Sequence, residues 1–194
     1  HSLAGLFAAW IYGQYPESIN AVMATSPTLI WSPEAYRQVV NGITARATPG
    51  TCFIAASENE GNMIPPKVRE LLDELARASH PATTVLSEWY EDASHTHASS
   101  LACSDGIRAV FRPVSLGGIH ASFDTSETLL RGFTQARARY VSAAPSYRLE
   151  PRLPLFYTSR LALEILGEQP DLLASIPELC RELSASYPSS WYGV

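Results

Sequence analysis

Apolar residues in the first stretch of the chain recur at the spacing of a helix. They return every three or four positions from Leu3 to about Gln14, and Tyr15-Pro16 ends the run. This period gathers apolar side chains on the same side of a helix. The pattern predicts a buried helix that begins immediately after Ser2.

Three shorter runs lack helical spacing and are typical of strands, and the second is apolar on both faces, as parallel strands usually are. They cover residues 21–27, 51–57 and 83–90. Helical patterns lie between them at 32–47, where Ser32 is the expected N-cap and Pro33 the first helical residue, and at 65–78. Strands that alternate with helices predict an α/β fold in which helices cover both faces of a parallel sheet.

The alternation of strands and helices ends near residue 112. A loop at 91–100 follows the third strand and leads into a helix to about Phe111, after which comes the turn-forming segment RPVSLGGI. Beyond this segment the chain has only helical patterns, at roughly 126–143, 152–168 and 170–186. We therefore expect an α/β part at 1–112 and a helical C-terminal extension at 113–194.

Composition and charge limit the kind of partner that the chain can bind. The 194 residues carry a formal net charge of -5, and the 14 lysines and arginines are scattered, so the sequence offers no basic surface for nucleic acid. No apolar run approaches the ~18 residues of a transmembrane helix. These features predict a globular protein that neither binds nucleic acid nor spans a membrane.

The cysteines give no sign of a metal site or a disulfide framework. Cys52, Cys103 and Cys180 are far apart, odd in number and without CxxC spacing. Cys52 lies in an apolar run and is predicted to be a small core residue. Three such cysteines leave the cellular compartment undecided.

Ser2 stands at the predicted start of a helix, in the segment HSLAG. In α/β-hydrolases the nucleophile occupies a sharp turn between a strand and a helix, with the signature Gly-x-Ser-x-Gly. Ala4 stands at the position of the second glycine of that signature, and Gly5 follows it. A serine before a helix is also a common N-cap, so this segment alone leaves both interpretations open.

Two polar loops follow the next strands where a catalytic triad would require them. ENEGNM follows the run at 51–57, and EDASHTH follows the run at 83–90. Such loops can bring a nucleophilic serine, an imidazole that takes its proton and a carboxylate that orients the imidazole to one edge of a parallel sheet. The chain order serine, acid, histidine is that of α/β-hydrolases.

Two segments resemble those of a known family. HSLAGLFAAWIYGQYPESINAVMATSPTLIW is similar to the GHSLGGLFAL...YPxxF...ASSPSLWW stretch of predicted esterases of the α/β-hydrolase superfamily, in the branch that includes the enterobactin (siderophore) esterases. HTHASSLACSDGIRAVF resembles the terminal His-x-Ser...Ala-Leu-x-x-Gly-Leu-Arg-x-x-Phe segment of that branch. The resemblance covers residues 1 to about 112 and, more weakly, the helical tail. It implies the C-terminal part of an α/β-hydrolase.

The resemblance also implies roles for individual residues. Ser2 matches the nucleophile, and the backbone N–H of Leu3 matches one donor of the oxyanion hole. Glu60 matches the acid, and Ser57 stands where the family has a glycine before it. Glu58 is the alternative acid, and a Ser-His dyad without an acid is a further alternative.

Two histidines compete for the place of the base. Counting back from Gly106, Arg108 and Phe111 places the family's histidine at His95, whereas the His-x-Ser pattern fits His97. We favour His95, because a helix fixes the spacing of residues more firmly than a loop does.

Two further residues lie close to the expected site in the sequence. His1 precedes Ser2 and is interpreted as a structural residue. Trp31, in the loop after the first predicted strand, is interpreted either as a wall of a substrate pocket or as ordinary packing.

Together these features predict a serine hydrolase that cleaves small-molecule carboxylic esters through an acyl-enzyme, without metal or organic cofactor. The alternatives are a non-catalytic binding module of the same fold and an acyltransferase that uses the same triad. An α/β-hydrolase has several strands before its nucleophile, so we expect residues 1–194 alone to be poorly stable and inactive. The substrate and the oligomeric state stay open.

Overall fold

The computed structural model describes residues 1–115, 126–153, 177, 178, 180 and 181. The chain divides into two compact units, His1–Arg112 and Pro113–Val194. The helices predicted at 152–168 and 170–186 lie almost entirely outside the described residues. The first unit therefore carries the description of the site.

Strands and helices alternate through the first unit, as the hydrophobic pattern predicts. Their order is α1 (Ser2–Gln14), β1 (Ala21–Thr25), α2 (Pro33–Thr44), β2 (Gly50–Ser57), α3 (Ile64–Ala78), β3 (Thr83–Tyr90) and α4 (His95–Phe111).

The three strands form one parallel sheet in the order β1-β2-β3. Ala24 pairs with Ile54, and Ile54 pairs with Ser87. Because all three strands run in the same direction, their carboxyl ends and the loops that follow them lie at the same edge of the sheet. Within the described sheet, β1 pairs only with β2.

Side chains of β1 and β2 alternate between two faces that helices cover, whereas the side chains of β3 are only partly buried. One face belongs to the main hydrophobic core with α1, α2 and α3, and its strand residues are Val22, Ala24, Cys52, Ile54 and Ala56. The other face carries Met23 and Phe53, which meet Gly106 of α4. Helices thus cover both faces, and Cys52 is a core residue as predicted.

Helix α2 begins as its sequence indicates. The Ser32 hydroxyl accepts a hydrogen bond from the Ala35 N–H at 3.2 Å, which satisfies one of the free amides of the first turn. Pro33 follows as the first helical residue, where its missing N–H costs nothing.

Helix α4 begins earlier than predicted. The sequence pattern predicts a loop over 91–100, but the helix starts at His95, within the polar part of this segment. Ser94 caps it, because its hydroxyl accepts a hydrogen bond from the His97 N–H at 3.3 Å. The first turn is therefore defined by its cap, and no apolar period marks it in the sequence.

Helix α1 is less buried than predicted. Leu6, Ala9 and Tyr12 face the core, but Leu3 and Phe7 are 60% and 58% exposed. Together with residues of α2, these two side chains line an open apolar groove of about 660 Å³. The prediction of a buried helix is confirmed for the face that carries Leu6, Ala9 and Tyr12, and it is wrong for Leu3 and Phe7, which no described element covers.

The second unit contains α5 (Ser126–Ala143), in agreement with the helical pattern at 126–143, and a 3₁₀ turn at Ala144–Tyr147. Phe133 and Tyr140 of α5 are buried. No helix in the described ranges is long and apolar enough to cross a membrane.

Candidate active site

Ser2 occupies a backbone conformation that non-glycine residues rarely adopt. Its φ is 56°, in the left-handed region, and α1 begins at this residue. The carbonyl oxygen of Ser2 accepts a hydrogen bond from the Thr28 N–H at 3.3 Å, which ties this turn to the loop after β1. A strained turn of this kind presents the nucleophile of α/β-hydrolases.

The small residues after Ser2 have different surroundings. Ala4 is exposed, so a methyl group is tolerated there. Gly5 is buried, and a Cβ added to it would lie 2.9 Å from the carbonyl oxygen of Thr25. The close approach of α1 to β1 therefore depends on Gly5 and leaves the Ala4 position free to vary.

Glu60 lies in the loop after β2, and its side chain is fully buried. Its Oε1 accepts hydrogen bonds from the Ser57 N–H and the Ser26 hydroxyl, each at 2.6 Å. Its Oε2 lies 3.0 Å from Nδ1 of His95. A buried carboxylate is costly unless its oxygens are hydrogen-bonded, and here both oxygens have partners.

His95 is the first residue of α4, and its orientation follows from its partner. A carboxylate oxygen accepts hydrogen bonds, so Nδ1 of His95 carries a proton and donates a hydrogen bond to Oε2 of Glu60. In the neutral ring this leaves Nε2 unprotonated, with a lone pair that can accept a proton. The ring is 33% exposed, so it has access to solvent at the carboxyl edge of the sheet.

His1 holds the other side of His95. The two ring centroids lie 4.2 Å apart, and Nε2 of His1 donates a hydrogen bond to the carbonyl oxygen of His95 at 3.0 Å. These contacts agree with a structural role for His1. Because Ser2 follows His1 in the chain, they also hold the backbone of Ser2 near His95. Among the described residues no hydrogen bond joins the Ser2 hydroxyl to His95 or Glu60.

The two alternative residues lie apart from this arrangement. His97 is exposed and makes no hydrogen bond to Glu60 within the described part of the chain. Glu58 forms an ion pair with Arg69, whose guanidinium lies 4.1 Å above the Trp89 ring. The structure thus brings His95 and Glu60 together, and it brings neither His97 nor Glu58 to this pair.

Ser57 connects the loop of the acid to the loop of the histidine. Its hydroxyl lies within hydrogen-bond distance of the carbonyl oxygens of Tyr90 and Ala93. Its backbone N–H holds Glu60. A glycine, which the esterases that the sequence resembles have at this position, would lack that hydroxyl, so Ser57 adds a link between the ends of β2 and β3.

Tyr90 anchors the end of β3 to α4. Its hydroxyl donates a hydrogen bond to Oδ2 of Asp105 at 2.9 Å. Burial, together with the hydrogen bond to Asp105, raises the pKa of Tyr90 well above its ordinary value. The phenol therefore stays protonated well into the alkaline range, and its hydrogen bond links the end of β3 to the second half of α4.

The remaining predicted residues lie close to Ser2 in the chain or at the same sheet edge. Leu3 is in the first turn of α1, where backbone N–H groups lack intrahelical partners and can bind an anion. Trp31, in the loop after β1, is 73% exposed, so its ring is not packed in the core of this unit. Among the described residues, no group of three or more histidine, cysteine or acidic side chains is placed to bind a metal ion.

Ser26 is a site residue that no sequence pattern indicates. This residue follows β1, is fully buried and supplies the second hydrogen bond to Oε1 of Glu60. The only trace in the sequence is a polar residue at the end of a buried strand, a position that serine often takes without a specific partner.

The described architecture is that of a known group of folds. No protein-family model matches the sequence, and no curated protein is significantly similar to it. An IroE-like serine hydrolase from Shewanella oneidensis superposes with a TM-score of 0.60 at 16% identity, covering 95% of this chain and 58% of that protein.

Two further solved structures are similar over a shorter stretch. The BES protein from Bacillus cereus has a TM-score of 0.50 at 19% identity, covering 57% of this chain and 42% of that protein. The siderophore hydrolase EstB from Aspergillus nidulans has a TM-score of 0.46 at 16% identity, covering 57% of this chain and 46% of that protein. This chain therefore spans less than two thirds of the length of each, and its parallel strands with flanking helices have the fold of part of an α/β-hydrolase.

Proposed function

We propose that this chain carries the catalytic residues of a serine hydrolase that cleaves small-molecule carboxylic esters. Ser2 is the nucleophile, His95 the general base and Glu60 the acid that orients His95. The observation on which this proposal rests is the 3.0 Å contact between Nδ1 of His95 and the buried carboxylate of Glu60. The residue before Ser2, His1, is in ring contact with His95.

The reaction begins when Nε2 of His95 takes the proton of the Ser2 hydroxyl as Oγ attacks the ester carbonyl. The carbonyl oxygen becomes an oxyanion, which the N–H of Leu3 stabilises. The C–O bond of the ester then breaks, and the alcohol leaves with the proton from His95. Water, deprotonated by His95, attacks the acyl-enzyme and releases the carboxylic acid and the free Ser2 hydroxyl.

Glu60 supports both proton transfers without itself accepting a proton. Its Oε2 keeps the proton of His95 on Nδ1, so that Nε2 is the atom that acts as base. When the imidazolium forms, the carboxylate stabilises its charge, and the buried setting strengthens this interaction.

The comparison of folds supports the proposal. The protein from Shewanella oneidensis is described as a serine hydrolase, and its fold matches 95% of this chain. This chain spans 58% of that protein, so the proposal concerns the full natural chain that contains these residues, and the helical unit after residue 112 has no assigned part in the chemistry.

Covalent labelling of the full natural chain with a fluorophosphonate tests the proposal. We expect the reagent to label Ser2 of the unmodified protein. The Ser2→Ala variant should resist labelling and should no longer hydrolyse short-chain p-nitrophenyl esters. Ser18→Ala, at an exposed position, is the control and should keep both the labelling and the hydrolysis of the unmodified protein. A protein that folds but leaves Ser2 unlabelled would instead be a binding module. Labelling with acyl transfer to an added alcohol in place of hydrolysis would identify an acyltransferase.

His95 and His97 provide a matched pair of variants on the same turn of α4. We expect His95→Ala to lower kcat at least ~10³-fold, because the serine loses its base, whereas His97→Ala should leave kcat unchanged. The opposite result would assign the base to His97 and contradict the roles proposed here.

A further inference from the structure

Ser26 is held in a conformation that favours glycine. Its φ is 46°, in the left-handed region, and the residue is fully buried directly after β1. Such a backbone is costly for a residue with a Cβ, whereas glycine adopts it freely. A serine at this position therefore needs a compensating contact of its side chain.

The compensating contact is with Glu60. The Ser26 hydroxyl donates a hydrogen bond to Oε1 of Glu60 at 2.6 Å, across 34 positions of sequence. The backbone of Ser26 is fixed independently, because its N–H donates to the carbonyl oxygen of Ala55 in β2 at 2.6 Å. The hydroxyl is thus delivered to the carboxylate from a rigid point at the end of the sheet.

We propose that Ser26 is a positioning residue that acts through Glu60 on His95, an inference that rests on the function proposed above. Two donors, the Ser26 hydroxyl and the Ser57 N–H, fix Oε1. With Oε1 fixed, the carboxylate cannot rotate, and Oε2 remains aimed at Nδ1 of His95. The left-handed turn at Ser26 is the conformation that brings its hydroxyl to Glu60.

Removal of the hydroxyl leaves Oε1 with a single donor within the described part of the chain, the Ser57 N–H. The buried carboxylate then lacks a hydrogen bond that it cannot replace from solvent, because its side chain is fully buried. A carboxylate with one fewer constraint holds Nδ1 of His95 less firmly, so a smaller fraction of molecules has Nε2 aimed at the serine. The effect should fall on the chemical step and leave substrate binding unchanged.

Two variants of Ser26 separate the hydroxyl from the backbone. Ser26→Ala removes the hydroxyl and keeps the strained backbone, and Ser26→Gly removes the hydroxyl while relaxing the backbone. We expect both to lower kcat about 10- to 100-fold with KM unchanged, in line with the loss of a hydrogen bond to a charged group. Thr25→Val is the matched control, because it removes a neighbouring buried hydroxyl that makes no hydrogen bond to Glu60.

Three results would overturn the proposal. Ser26→Ala with the kcat of the unmodified protein would show that the hydroxyl has no part in positioning. Ser26→Gly with full activity would assign the role to the backbone. An equal loss in Thr25→Val would mean that any change in this turn disturbs the site.

The hydrogen bond itself gives a readout that does not depend on turnover. In ¹⁵N-histidine spectra of the full natural chain, the proton on Nδ1 of His95 should give a downfield signal that exchanges slowly, and Ser26→Ala and Ser26→Gly should both broaden or remove it. An unchanged signal in folded Ser26→Ala would overturn the inference. Failure of the proposed hydrolase function would give a different result. The unmodified protein would not be labelled at Ser2, while the Nδ1 proton signal of His95 would still change in Ser26→Ala and Ser26→Gly.

Discussion

Gly106 of α4 lies directly against Phe53 of β2. A Cβ added at Gly106 would stand 2.9 Å from Cδ1 of that ring and 2.6 Å from Cε of Met23, closer than such atoms approach in real structures. The helix can pack this tightly on the sheet only because residue 106 has no side chain. The same helix begins at His95, so its distance from the sheet also fixes the position of the proposed base.

We expect Gly106→Ala to lower the free energy of unfolding by about 1–3 kcal/mol, as overpacking in a core does, despite the higher helix propensity of alanine. The shift of α4 should also lower kcat, because His95 moves away from Glu60. Urea denaturation and steady-state kinetics of the full natural chain measure the two effects. Cys103→Ala, at an exposed position of the same helix, is the control and should change neither quantity. A Gly106→Ala protein as stable as the unmodified one would contradict the packing described here.

Much of the fold follows from short-range pattern. The strands and the helices between them arise from apolar runs and from caps such as Ser32, all of which involve residues close together in sequence. The pairing of Glu60 with His95 was also predictable, because parallel strands bring their following loops to one edge and the family resemblance names the acid and the base.

The features that the sequence did not reveal depend on contacts between distant residues or on single polar groups. The hydrogen bond between Ser26 and Glu60 spans 34 positions and requires a left-handed backbone that no hydrophobic pattern encodes. The start of α4 depends on the side chain of Ser94, since the residues of the first turn are polar and carry no period. The exposure of Phe7 reflects the arrangement of neighbouring elements, which the composition of α1 does not determine.

Trp31 is expected to contribute to substrate binding and little to stability. Its ring is 73% exposed in the loop after β1, at the edge of the sheet where Glu60 and His95 meet. Removing an exposed ring should change the free energy of unfolding by less than ~0.5 kcal/mol. If the ring covers an apolar part of the substrate, Trp31→Ala should raise KM for esters with large apolar groups about tenfold, because burial of such a ring contributes about 1.4 kcal/mol or more.

The control for Trp31 is Phe111→Ala. Phe111 is also exposed but ends α4, about 24 Å along the helix from His95. We expect the KM of the Phe111→Ala variant to match that of the unmodified protein. An unchanged KM in Trp31→Ala for every ester tried, small or large, would exclude Trp31 from the substrate site.

Cys52 should be chemically inert in the folded protein and should make stability depend on pH at alkaline values. Burial raises the pKa of its thiol to about 12, against a smaller opposing effect of Arg46, so the thiol stays neutral at pH 8 and iodoacetamide should alkylate the exposed Cys103 first.

In the unfolded chain the thiol of Cys52 ionises from about pH 9, whereas in the folded chain it stays protonated to about pH 12. Its contribution to the free energy of unfolding is therefore fully present below pH 9 and falls by about 1.4 kcal/mol per pH unit above it. Buried tyrosines add to the loss, so the measurement is the difference between the unmodified protein and Cys52→Ala from pH 8 to 11. Alkylation of Cys52 as fast as that of Cys103 under native conditions, or a difference that does not change with pH, would contradict this expectation.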